Sequence, residues 1–223
     1  MKYLVTGGAG FIGSNLVEKL LSDGHEIIAI DNLSTGFIDN IFNSIDKIKF
    51  YEENIEEFDF IKAEKVDVVI HLAAQASVPL SIDNFEESSS SNMLGTIKVI
   101  NFCKSNNIPL VYASSSAVYG DLDKGSDSEN NVDLLSPYSA DKYLMEIYSQ
   151  IAHKNYEMSS IGLRFFNVYG PKQDPLSPYS GVISIFIDKH LKKEPIKIYG
   201  GHQTRDFVYV NDVITCILKS VDL

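Results

Sequence analysis

Tyr138 and Lys142 stand one helical turn apart in the run Tyr-Ser-Ala-Asp-Lys. That spacing turns both side chains to one face of a helix. A free tyrosine, with a pKa of about 10, is a poor base at neutral pH. A cation such as a lysine ammonium beside the phenol stabilises its anion and lowers that value. Tyr138 can then take a proton from a hydroxyl, with Lys142 as electrostatic support. Tyr-x-x-x-Lys alone carries little weight, because helices hold it by chance. Two other stretches give it weight: Ser114, Ser115 and Ser116 after an apolar run, and the run Thr6-Gly7-Gly8-Ala9-Gly10-Phe11-Ile12-Gly13.

The glycine run follows the apolar Tyr3-Leu4-Val5 and precedes a helical stripe of Leu16, Val17, Leu20 and Leu21. Strand, glycine turn and helix together hold a dinucleotide pyrophosphate. The glycines allow close backbone approach, and free helix N–H groups meet the negative charge. Asp31 ends the next apolar strand, Ile27-Ile28-Ala29-Ile30. A carboxylate placed there accepts from both ribose hydroxyls of NAD and repels a 2′-phosphate. Asn32, Ser34, Thr35 and Gly36 add small groups beside the adenosine.

These residues need a frame. Further strands are expected at 48–51, 66–72, 110–113 and 161–165, with helices from near Asn84 to Asn106 and from Ser136-Pro137 onward. Six strands alternating with helices make a doubly wound parallel α/β sheet of Rossmann type. His71 reads as a packed strand-end histidine. The serines at 88–91 read as small side chains on a helix face. The loop 121–133 is rich in Asp, Gly, Ser and Asn. After Asn167 the texture changes: Gly170, Pro171, Pro175, Pro178 and Gly181 mark a crossing between lobes. Residues 1–166 form the expected nucleotide-binding domain. Residues 167–223 begin a small, incomplete second lobe, with a helix at 182–192, a strand at 196–199 and a last helix; 207–223 can pack back on the first domain.

Composition narrows the class. The chain has 223 residues, 44% apolar and 22% charged, with a net charge of −11. That balance fits a soluble globular protein and argues against nucleic acid or an anionic membrane as partner. Cys103 and Cys216 lack metal-like spacing and read as reduced, partly buried thiols; the five histidines form no metal pair. No signal peptide or membrane-length apolar run is seen, so the expected compartment is the cytoplasm.

The ordered segments TGGAGFIGSNLV, DNLSTG, HLAAQASV, ASSSAVYGD, SPYSADKY, LRFFNVYGP and RDFVYVND span nearly the whole chain. Together they resemble the extended short-chain dehydrogenase/reductase superfamily in its nucleotide-sugar epimerase/dehydratase branch. Within that branch the chain looks most like UDP-hexose 4-epimerases acting on UDP-glucose and UDP-galactose or their N-acetyl forms. The resemblance implies tightly bound NAD and a UDP-sugar substrate. It gives Gly7, Gly10, Phe11, Ile12 and Gly13 to the pyrophosphate, and Asp31 and Asn32 to the adenosine ribose. Leu72, Ala73, Ala74 and Gln75 line the nicotinamide half, with Asn92 and Phe166 nearby. Ile55 and Ser114 complete the cofactor set. Asn54 stands where the family reads the adenine amino group with an aspartate. Ser115, Tyr138 and Lys142 match the catalytic set. Asn167, Val182, Tyr199 and Arg205 fall to the sugar nucleotide, with Arg205 clamping the diphosphate.

The 4,6-dehydratases of the branch need an acid and a base just after the catalytic Ser/Thr. Ser116 and Ala117 stand there and can serve as neither. The expected reaction is therefore C4 epimerisation through a transient 4-keto sugar. A nucleotide-sugar reductase or dehydratase, and a truncated NAD-binding module without turnover, remain the alternatives, because the family runs on past the end of this chain. A homodimer is expected, with the stripe Tyr143, Leu144, Ile147, Tyr148 and Ile151 and the helix ending near Asn106 packed against a twofold mate; burial within the monomer is the other possibility.

Overall fold

The computed structural model describes residues 1–63, 65–122, 131–177 and 180–222. Most of the loop expected at 121–133, and Pro178, lie outside the described residues. Strands β1 (Lys2–Thr6), β2 (Glu26–Asp31), β3 (Lys49–Glu52), β4 (Val68–His71), β5 (Leu110–Ser115) and β6 (Ser160–Phe165) form one sheet. Their order is β3-β2-β1-β4-β5-β6, and every neighbouring pair is parallel. Helices are α1 (Phe11–Ser22), α2 (Val78–Asp83), α3 (Phe85–Asn106), α4 (Pro137–Tyr156), α5 (Val182–Leu191) and α6 (Val210–Val221). Short strands β7 (Asn167–Tyr169) and β8 (Phe207–Tyr209) pair parallel in a separate ribbon.

Side chains alternate across the sheet, so each inner strand feeds two cores. Leu4, Ile28, Ile30, Val69 and Leu110 meet Val99 and Cys103 of α3 and Met145 and Ala152 of α4. Tyr3, Val5, Ile27, Ala29, Ile70 and Val111 meet Leu16, Val17 and Leu20 of α1 and Val213, Ile214 and Ile217 of α6. Each fully buried aliphatic side chain contributes about 1.5–3 kcal/mol. The parallel register then brings the C-terminal ends of the strands together. Thr6 lies between Ile30 and His71, and Ser115 lies opposite Phe165. Ligands of open α/β sheets bind along such an edge.

Helix α4 begins as its sequence demands. Ser136 caps it, Ser139 closes the capping box and Pro137 takes the first turn. Its buried face is mostly polar, however: Tyr138, Asp141, Lys142, Met145, Glu146 and Ser149. The expected apolar stripe is its outer face, with Leu144, Tyr148 and Ile151 all exposed. Packing among the described residues therefore does not cover them.

Two other expectations need correction, and one helix was not expected. Residues 196–199 form no strand. Ile196, Ile198 and Tyr199 are exposed, no strand among the described residues pairs with them, and β propensity without a ladder does not hold a strand. Helix α3 runs as expected from near Asn84 to Asn106, and α2, capped by Ser77 with a proline in its first turn, is an additional helix ahead of it. Cys103 is buried as read, but Cys216 is exposed on α6.

Candidate active site

The glycine turn lies where β1 meets α1. Gly7 has φ of 72°, and a Cβ there would stand 2.8 Å from the Ala73 nitrogen. A Cβ on Gly13 would stand 2.0 Å from the Gly7 carbonyl oxygen. Neither position admits a side chain, so backbone lies against backbone as a pyrophosphate cradle requires. Gly10 caps α1 without any side-chain hydrogen bond, and no acidic residue occupies the first turn. The N–H groups of Phe11, Ile12 and Gly13 thus face the loop with a favourable helix dipole behind them.

Asp31 is buried at the end of β2. Its carboxylate accepts from the Ala9 and Leu33 N–H groups, each at 2.9 Å. Burial raises its pKa, against the pull of these backbone donors. Two carboxylate oxygens offer about four acceptor sites, so positions for a ribose remain. Gly36 is buried beside Asp31 and Ala9, while Asn32, Ser34 and Thr35 are exposed. The Asn32 amide donates to the Asn54 carbonyl at 2.8 Å, and the Asn32 carbonyl accepts from the Ser34 nitrogen and hydroxyl. The Asn54 carbonyl therefore first serves its neighbour. The Ile55 side chain is core, set beneath Gly95.

Leu72, Ala73, Ala74 and Gln75 follow β4 and are half-buried. The Thr6 hydroxyl oxygen accepts from the Leu72 and Ala73 N–H groups at 3.2 and 3.1 Å. Its own proton therefore goes to Nδ1 of His71, 2.7 Å away. Nε2 of His71 then carries the proton and donates to the Thr96 hydroxyl at 3.1 Å, which donates onward to the Asn92 carbonyl. Burial, and secondarily the Lys142 charge, push the His71 pKa down to about 3. It is a neutral structural tie, as its place at a strand end suggested.

Ser115, Tyr138 and Lys142 come together. Ser115 lies near enough to the Tyr138 phenol to pull its pKa down, and the Ser115 oxygen accepts from the Ala117 N–H at 3.1 Å. The Tyr138 N–H donates to the Ser81 hydroxyl at 3.2 Å, which pins the start of α4 to α2. Lys142 is 3% exposed; its ammonium donates to the Ala113 carbonyl at 2.8 Å and lies 5.8 Å from the centre of the Tyr138 ring. Burial pushes Lys142 down to about 8, opposed by the Asp141 charge.

Burial raises the Tyr138 pKa, with Ser115 pulling the other way. This differs from the expected depression. In the protein by itself burial keeps the phenol protonated, while one N–H of the Lys142 ammonium is held by the Ala113 carbonyl of β5.

Ser114 points elsewhere. Its hydroxyl donates to Glu146, which also holds Arg164 through bonds of 2.9 and 2.6 Å. Arg164 covers the Tyr119 ring at 4.8 Å. Sequence reading missed Glu146, though it lies one turn beyond Lys142 on the same helix face. A cavity of about 1110 Å³ borders these groups along β6, lined also by His153, Val208 and Cys216. It does not include Tyr138 or Lys142.

The substrate candidates are looser. Asn167 donates through its amide and backbone to the Asp206 carbonyl at 3.0 and 3.1 Å. Arg205 is exposed and donates to the Thr204 carbonyl at 2.7 Å. Val182 opens α5, and Tyr199 is 71% exposed. Phe166 is half-exposed beside Tyr119. The cofactor and catalytic candidates thus converge on the strand ends, while the substrate candidates are spread along the second lobe.

The family model for NAD dependent epimerases/dehydratases matches residues 3–223. A UDP-glucose 4-epimerase of Mycolicibacterium smegmatis is 36% identical over 237 residues, covering 99% of this chain and 73% of the relative. The structure of a UDP-N-acetylglucosamine 4-epimerase from Methanobrevibacter ruminantium, in complex with UDP-N-acetylmuramic acid, superposes with a TM-score of 0.94 at 40% identity. That match covers 99% of this chain and 73% of the other. A UDP-glucuronic acid 4-epimerase from Bacillus cereus, in complex with UDP-glucuronic acid and NAD, gives a TM-score of 0.90 at 31% identity, covering 100% and 74%. With a glycine cradle, a buried strand-end acid and the Ser115-Tyr138-Lys142 group already in place, the chain belongs to the NAD dependent epimerase/dehydratase family, and NAD is its cofactor.

Proposed function

We propose that the protein is a UDP-hexose 4-epimerase working through a transient 4-keto sugar. The observation that carries this reading is Ser115, Tyr138 and a buried Lys142 gathered at one place, with Ser116 and Ala117 in the next turn. Those two positions offer no acid and no base for loss of water, so C4 chemistry is what remains. The relatives named for UDP-glucose, UDP-N-acetylglucosamine and UDP-glucuronic acid support the reaction class.

The glycine turn and α1 would hold the pyrophosphate of NAD, Asp31 its ribose, and the 72–75 loop its nicotinamide half. Bound NAD supplies a reversible hydride acceptor and a positive charge beside the phenol. Ser115 would orient the sugar C4 hydroxyl. Tyr138 would accept its proton when C4 is oxidised, and return one when C4 is reduced on the other face. Lys142, held by the Ala113 carbonyl, would keep a positive charge close to the developing phenolate. Asn167 and Arg205 would steady the nucleotide while the keto sugar turns.

The outer face of α4 exposes Leu144, Tyr148 and Ile151, and helix α3, packed against α4, exposes Leu94 and Ile97. We assign that face to a homodimer interface. Incubation with UDP-galactose and with UDP-N-acetylgalactosamine, without added NAD, tests the activity. The gluco epimer should form and should vanish in Tyr138→Phe. No epimer from protein with NAD bound, or stoichiometric NADH consumption, overturns the proposal.

A further inference from the structure

We propose that Asp141 is a positioning residue: through the Asn92 amide it fastens the 72–75 loop to the helix that carries Tyr138 and Lys142. The inference rests on the reading above in one respect, that this loop lines the nicotinamide half of the site.

Asp141 lies three residues past Tyr138 and directly before Lys142, on the buried face of α4. It is 4% exposed. Its Oδ2 accepts from the Asn92 amide and the Ser89 hydroxyl, both at 3.2 Å and both from α3. Asn92 is itself 2% exposed. Its carbonyl accepts from the Gln75 N–H at 2.8 Å, and its NH₂ donates also to the Gln75 carbonyl at 3.2 Å. The Ser88 hydroxyl holds the Gln75 side chain at 2.9 Å.

An ionised carboxylate only accepts, so it dictates which end of the Asn92 amide faces α4. With NH₂ turned to Asp141, the carbonyl is left for the Gln75 N–H. The opposite orientation sets oxygen against carboxylate and nitrogen against N–H. The acceptor at Asp141 thus matches, and reinforces from α4, the amide orientation that the Gln75 N–H and carbonyl require. The far end of the loop is held by Thr6, directly before the glycine turn. The 72–75 segment is therefore strung between the cofactor turn and the catalytic helix, and Asp141 is the anchor at the helix end. A buried carboxylate with two neutral donors costs more than an apolar residue at the same place. Orientation of Asn92 is the return on that cost.

The test is a double-mutant cycle on the full chain with Asp141→Ala, Asn92→Ala and both together. Two readouts are taken: hydrogen exchange at the Gln75 amide without sugar, and NAD affinity by fluorescence titration. Asp141→Ala should speed Gln75 exchange and weaken NAD by about tenfold each, the size of one lost charge-assisted hydrogen bond. The double variant should be no worse than Asn92→Ala alone. Asp141→Asn keeps an acceptor and should restore both readouts to within about threefold, which covers the case of an unstable alanine variant. In turnover, Asp141→Ala should lower kcat with the KM for UDP-sugar unchanged. Tyr138→Phe should leave Gln75 exchange as in the wild type. Unchanged Gln75 protection in Asp141→Ala, or additive losses in the double variant, overturn the proposal. The exchange readout needs no catalysis, so failure of the epimerase reading would show separately, as absent turnover with Gln75 protection still dependent on Asp141.

Discussion

Lys142→Met separates what the lysine costs the fold from what it gives the site. Lys142 is buried, and its pKa falls from 10.5 to about 8. A folded pKa below the unfolded one contributes stability that is complete above 10.5 and gone below about 8. Wild type should therefore gain stability, relative to Lys142→Met, as pH rises through that window. At pH 7 both states bind the proton and the folded state bears the full cost, about 3 kcal/mol at roughly 1.4 kcal/mol per tenfold change. At pH 9.5, still below the ordinary tyrosine range, about 1.4 kcal/mol of it remains. Urea unfolding of both proteins at pH 7 and 9.5 gives the double difference, in which lost packing and the lost Ala113 hydrogen bond cancel. The expected change is about 2 kcal/mol in favour of wild type at the higher pH. A difference that does not move with pH, or moves the other way, would refute a buried and strained ammonium beside Tyr138.

Other outcomes follow from the same geometry. Gly13→Ala places a methyl 2.0 Å from the Gly7 carbonyl; NAD titration should show at least about tenfold weaker binding, with stability lower by about 1–3 kcal/mol. His71 should make the fold acid-sensitive, because its pKa drops from 6.5 to about 3. Its stabilising share is complete above 6.5 and lost as pH falls toward 3, so by pH 4.5 about 2–3 kcal/mol should be gone relative to His71→Asn. Equal pH slopes in the two proteins would count against the neutral tie. Leu144→Lys with Tyr148→Glu should sediment as a monomer at micromolar concentration with an unchanged circular dichroism spectrum. A wild type that already sediments as a monomer contradicts the α4 interface.

Local spacing made part of this molecule readable. The glycine turn, Asp31 and the pair Tyr138 and Lys142 each lie within one strand, turn or helix, where periodicity and backbone sterics act directly. The sheet followed from apolar runs divided by helical stripes. What stayed hidden depends on contacts across the chain. Asn92 meets Asp141 across 49 residues, and Arg164 meets Glu146 across 18; no periodicity marks either. The stripe on α4 was visible, but apolar residues cannot say whether a core or a second subunit covers them. The run at 196–199 has strand composition without a neighbouring strand. The raised pKa of Tyr138 reflects its burial in the fold, which spacing alone does not reveal.

The most direct test of the account is the fate of a label at C4. UDP-[4-²H]galactose is incubated with the protein in ordinary water and the product examined by NMR. Tyr138 handles only the hydroxyl proton, so the deuterium should remain at C4 of UDP-glucose, and Tyr138→Phe should give no product. Deuterium lost to solvent or found on another carbon, or undiminished turnover in Tyr138→Phe, would contradict the account.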